Sequence, residues 1–151
     1  MDKRFWVCGL VVSVAALLLD FLVHGVLLQA DYQALVASGF VRGQDEAGAF
    51  MPYMVAAHLL VGYGMTWLYR QIMPVQRRST HSGPAGERSL TRGLRFGAAF
   101  AIAATVPGYL IYYAVQPWPA ALVHKQMLLG TAVILVLGML LGYLQPRRTT
   151  L

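Results

Sequence analysis

Four apolar stretches, Phe5 to Gln29, Phe50 to Arg70, Gly93 to Val115 and Ala120 to Leu144, account for most of this chain of 151 residues. Each is long enough to cross a hydrocarbon core of roughly 30 Å, which a helix spans in about 20 residues. Inside lipid, backbone amides and carbonyls must pair within their own segment, so stretches of this kind are expected to be helical. With 58% hydrophobic and only 12% charged residues, the chain has too little interior to hide its apolar surface from water. The predicted fold is therefore all-α: an integral membrane four-helix bundle forming one domain over residues 1–151.

The basic residues orient it. Lys3 and Arg4 precede the first span, Arg70, Arg77, Arg78, Arg88, Arg92 and Arg95 flank the second connection, and Arg147 and Arg148 follow the last span. Positive charge collects on the cytoplasmic side, which predicts that both termini are cytoplasmic. The first connection, with Asp31, Asp45 and Glu46 against Arg42, and the short Gln116-Pro117-Trp118-Pro119 connection are then outside. The net charge of +6 has its explanation in this asymmetry, and no nucleic-acid partner is expected. The partner is the bilayer, with anionic headgroups facing the Arg70 to Arg95 loop.

The first stretch imitates a secretory signal, with Leu28-Gln29-Ala30 in place of a cleavage site. Its apolar run is too long for one and is interrupted by Asp20 and His24, so an uncleaved span is expected. Cys8 stands alone, which excludes an internal disulfide and a CxxC motif.

Local signals refine the reading. Asp31 is predicted to cap a short helix that Gly39 ends, lying on the membrane surface. Pro52 suits the first turn of the second span, behind Asp45 and Glu46. The segment from Ser79 to Gly86 lacks apolar periodicity and reads as a mobile loop with a solvated His81. Pro107-Gly108 predicts a kink that leaves the Ala103 carbonyl without its usual partner. Gly138-Met139-Leu140-Leu141-Gly142 is a small-xxx-small pattern that permits close approach of another helix, within the chain or in a homo-oligomer.

Depth singles out a candidate site. At 1.5 Å per residue from the outer span ends, His124 lies about 6 Å deep, His24 about 7 Å, His58 about 10 Å and Asp20 about 13 Å. Ionisable groups within a bilayer are costly and commonly mark function. Asp20 and His24, four residues apart, share a helix face. The simpler alternative is a set of separate, locally satisfied polar groups, with His24 donating to Asp20 alone.

If His24, His58 and His124 converge with Asp20, their nitrogen and oxygen donors suit a transition metal such as zinc, copper or iron. The same histidines are the candidates for binding haem, although only Arg42 and Lys125 lie outside to meet its propionates. A proton relay through Asp20, the histidines and Tyr109 or Tyr113 needs fewer coincidences. Tyr112, Tyr113 and Trp118 also fit an interfacial aromatic belt, and Lys125 is expected to snorkel outward, with pairing to Asp20 as the alternative. Three functions stay open: a metal- or haem-binding redox or sensing protein, a structural or assembly subunit of a larger membrane complex, and a small proton-linked permease. The first is the leading expectation, and no catalytic residue is assigned.

The segments Leu19-Asp20-Phe21-Leu22-Val23-His24-Gly25, Pro52 through His58 to Tyr69, and Leu110-Ile111-Tyr112-Tyr113-Ala114-Val115-Gln116-Pro117 with Lys125-Gln126 resemble a family of small, uncharacterised four-helix bacterial inner-membrane proteins. The resemblance covers nearly the whole chain. It implies a bacterial inner-membrane location and no activity.

Overall fold

A computed structural model describes residues 2–72 and 85–145, and these are helical with short connections. The elements are α1 (Lys3–Asp20), which continues as a π-helical stretch (Phe21–Leu27), then α2 (Gln29–Ala37), α3 (Gln44–Ile72) and α4 (Ala85–Phe100). A second π-helical stretch (Ala101–Thr105) leads into α5 (Val106–Val115), and α6 (Ala120–Leu144) completes the chain. Among the described residues, three helical stretches are long and apolar enough to cross a membrane: Lys3–Leu27, Ser89–Val115 and Ala120–Leu144. The α3 helix, which contains the expected second span, has the length but is diluted by Pro52, Tyr53, His58, Gly62, Tyr63 and Gly64. The mobile loop and His81 expected around residues 79–84 lie outside the described residues.

The α1 helix packs against α3 and α6, and α4 packs against α6. The beginning of α1 and the end of α6 share one end of the molecule, where the Cys8 thiol faces the Leu144 carbonyl at 3.8 Å. The Asp2 carboxylate caps α1 by accepting from the Phe5 amide (3.1 Å) and receives both guanidinium arms of Arg70 (3.0 and 3.1 Å). One short acidic side chain thus starts α1 and ties it to α3.

In this terminal half, small residues let backbones touch. Gly93 and Gly97 of α4 face Gly138 and Gly142 of α6, and a Cβ on Gly97 would come within 2.8 Å of the Ile134 carbonyl. The small-xxx-small pattern of α6 is therefore occupied within the chain. Ser13 and Thr66 are buried, and their hydroxyls donate to carbonyls one turn back, Gly9 (2.8 Å) and Gly62 (2.7 Å). Around them Val12, Ala16, Met65, Tyr69, Phe96, Ala101, Ile134, Leu137 and Leu141 form the apolar core. Large apolar side chains including Trp6, Leu10, Leu18, Phe21 and Ile102 point outward.

Three local expectations change in the structure. Pro52 does not open its helix: α3 starts at Gln44, with Asp45 and Glu46 in its first turn, so the proline is interior and takes a donor from the Gly48 carbonyl. Asp31 does not cap α2 but sits within its first turn. Gly39 does end α2, with φ +73°, as Gly39 and Phe40 donate to the Val36 and Leu35 carbonyls at 2.9 and 3.0 Å. At Pro107 the disturbance takes the form of a π turn, in which the Val106 amide reaches back five residues to the Ala101 carbonyl.

Candidate functional site

Asp20 ends the regular part of α1 and begins its π-helical stretch, whose last bond runs from the Leu28 amide to the Val23 carbonyl at 2.9 Å. The wider turn re-aims the side chains that follow it, and such turns recur at functional sites. His24, one turn beyond, brings its Nε2 to 3.4 Å from Asp20 Oδ1. From α3, His58 brings its own Nε2 to 3.5 Å from Asp20 Oδ2. The two oxygens of one carboxylate thus face two imidazoles from different helices.

The outer nitrogens of both rings are committed. His58 Nδ1 lies 2.6 Å from the Met54 carbonyl, which only accepts, so that nitrogen carries a proton. His58 Nε2 is then the atom free to gain or lose one. Its 3.5 Å approach to Asp20 Oδ2 is an ion-pair distance, attractive only when the pair holds a proton, because a bare imidazole nitrogen and a carboxylate oxygen both accept. His24 Nδ1 lies 2.7 Å from the Tyr32 hydroxyl, which in turn accepts from the Gln126 side-chain amide. The arrangement that gives each donor one acceptor runs from Gln126 to Tyr32 and from Tyr32 to His24 Nδ1, leaving His24 Nε2 turned toward Asp20 Oδ1 at ion-pair distance.

Tyr32 remains a phenol in this chain. Burial, the largest influence, pushes its ionisation upward, the Gln126 hydrogen bond opposes that, and the Asp20 and Asp31 carboxylates reinforce it. Gln126 is buried, and its Oε1 has no hydrogen-bond partner among the described residues.

The cluster lines a cavity of about 140 Å³. Its polar edge is Asp20, His24, His58, Thr105 and Tyr109, and its remaining wall is apolar, drawn from α1, α3 and α6. Thr105 ends the second π stretch, so both π stretches border the same space. Near the termini, α3 and α4 meet through Tyr69 and Phe96, with ring centroids 5.2 Å apart. Farther along, the cavity lies between α3 and the α4–α5 rod.

Of the expected set, the structure gathers Asp20, His24 and His58 but not His124, which is exposed and absent from the cavity wall. The α6 helix turns Leu122, Gln126, Gly130, Val133 and Leu137 inward, and His124 lies on another face. The convergence of all four residues is thus corrected. Among the described residues, no group of three or more His, Cys, Asp or Glu is arranged to hold a metal ion.

Lys125 neither snorkels free nor pairs with Asp20. Its ammonium donates to both Asp31 oxygens at 2.9 Å and fastens α2 to α6. Tyr32 and Gln126 were not anticipated. The available signal was Gln126 itself, an amide beside His124 and Lys125 at the head of an apolar run, but its partner comes from a connection that reads as surface. Trp118, by contrast, packs edge-on against Phe40 and at a tilt against Tyr112 with both centroid distances 4.9 Å, gathering aromatic groups at the far end. Compared with known protein families, curated proteins and solved structures, the chain matches none.

Proposed function

We propose that this chain is a small proton-linked permease of the bacterial inner membrane, crossing it four times with both termini cytoplasmic. Three apolar helical stretches, the length of α3 and the basic residues at the terminal end support the four-span reading. The resemblance to small inner-membrane proteins supports the location. Proton linkage rests on one observation: Asp20 faces a histidine Nε2 from each of two helices beside a cavity, while His58 Nδ1 is held by Met54. Imidazole is the side chain that changes charge near neutral pH, and a carboxylate beside it makes a compact proton store.

The leading expectation of a metal or haem centre gives way on donor geometry. Without His124 the set is incomplete, and the remaining imidazoles turn their free nitrogens toward Asp20. The apolar core between the cavity and the terminal end favours an alternating site over an open channel.

Two measurements test this reading. Reporter fusions at Gly43 and Gly83 should fall on opposite sides of the membrane, and the same side for both would refute four spans. Proteoliposomes loaded with a pH dye should then receive panels of small amines, amino acids, sugars and carboxylic acids. At least one panel should drive proton movement that Asp20→Asn abolishes; no response to any, or equal responses in the variant, would overturn the permease.

A further inference from the structure

We propose that the cavity takes a small alkylammonium ion in exchange for the proton shared by Asp20 and His58. This rests on the proton-linked reading and adds the chemical class of the solute.

The charges around the cavity favour a cation. Among the described residues, Asp20 is the only acid that lines it, and neither Lys nor Arg does. Facing Asp20 are His24 on its own helix, His58 on α3, Tyr109 on α5 and Tyr32 on α2; the stretch of α6 at the cavity brings only Gly130, Val133, Ile134 and Leu137. The nearest ammonium on α6, that of Lys125, is already paired with Asp31. With one proton between Asp20 and His58 the group is neutral, and without it the group carries one negative charge. An anion would meet a neutral or negative wall. A monovalent cation replaces the departing proton without a net change of charge.

The walls narrow the class further. An ammonium head can donate to Asp20 Oδ2, to the bared His58 Nε2 and to the Thr105 or Tyr109 hydroxyl at the polar edge. Its apolar body then lies against Ala16, Val61, Val133 and Ile134. An inorganic cation would find too few oxygens to replace its hydration shell. A cavity near 140 Å³ compares with one of about 150 Å³ that admits benzene, so chains of about three to five carbons fit. In the exchange, RNH3+ enters as H+ leaves His58 Nε2 or the Asp20 carboxyl. No bond to carbon is made or broken and no electron moves.

The test is calorimetry of the purified protein in lipid nanodiscs with n-propylammonium chloride, in two buffers of different ionisation enthalpy near neutral pH. The expected result is saturable binding with about one proton released per cation, and no matching signal from sodium chloride or tetrabutylammonium chloride. Asp20→Asn should weaken binding by about tenfold or more through loss of the charged acceptor. His58→Gln should still bind the cation but release clearly fewer protons per cation than the wild-type protein at the same pH. Binding without proton release, undiminished binding by Asp20→Asn, or an equal response to sodium would overturn the proposal. If a variant does not fold, the proton count of the wild-type protein decides alone. An absence of propylammonium binding, alongside Asp20-dependent proton movement driven by another solute panel, would reject the alkylammonium ion and leave the permease standing.

Discussion

Near the chain termini, α4 and α6 approach until glycine backbones touch, and the Ser13 and Thr66 hydroxyls bond carbonyls of their own helices, Ser13 also lying 3.5 Å from the Leu59 carbonyl of α3. In the opposite half, the continuations of α1 and α4 pass through π turns and border a cavity lined by Asp20, His24 and His58, where His58 of α3 meets Asp20 of α1. The difference lies in how closely the backbones approach. Glycine contacts bring α4 and α6 together with no side chain between them, whereas the π turns and larger polar side chains of the other half leave room between elements. The first half is built for rigidity, and the second has the charge and space for chemistry.

The sharpest way to break this comparison is to separate the glycine contacts. Gly97→Leu places a side chain where a Cβ already meets α6 backbone, and overpacking of this kind costs about 1 to 3 kcal/mol or more. Thermal unfolding in nanodiscs should shift strongly downward. An unchanged midpoint would show that the terminal half is not the rigid part.

A middle-sized effect is expected at Tyr32. Tyr32→Phe removes the hydroxyl between His24 Nδ1 and Gln126, leaving groups unpaired at a cost of about 1 to 3 kcal/mol. The substitution should also change the alkaline limb of stability. The folded phenol ionises above its ordinary value, so its contribution is complete below about pH 10, the unfolded value, and declines as pH rises toward the folded one. Denaturant midpoints measured across that range should fall less steeply for the variant. Parallel curves would place the sensitivity elsewhere.

The smallest effect belongs to the tie between α2 and α6. Asp31→Asn weakens a partly exposed pair with Lys125, worth about 0 to 1 kcal/mol. Global stability should barely change, while amide exchange in Gln29–Ala37 should quicken. Uniform quickening over all helices would mean that α2 is integral to the rigid half.

How legible this was in the chain differs by residue. The helical class followed from run length, and Gly39 from its need for positive φ. Asp20 with His24 was visible because residues four apart share a helix face. His58 and His124 looked alike because depth is one coordinate. Which way a residue faces around its helix axis is a second coordinate, and α6 is apolar on every side, so its pattern carries no direction. Pro52 misled because the dipole-favoured acids Asp45 and Glu46 start α3 two turns before it. Pro107 correctly marked a disturbance, but the first π stretch has no proline to announce it.

The sequence by itself determined that this chain is all-helical, that it carries stretches apolar enough for a membrane, and that its charge is lopsided, because these depend on counts along the chain. Only the tertiary structure decided that Asp20 receives His24 and His58 but not His124, that Tyr32 and Gln126 complete the hydrogen-bonded line, and that Lys125 is spent on Asp31. Those outcomes depend on the rotation of each helix about its axis, set by glycine contacts and π turns that shift register, and therefore on neighbours far away in sequence.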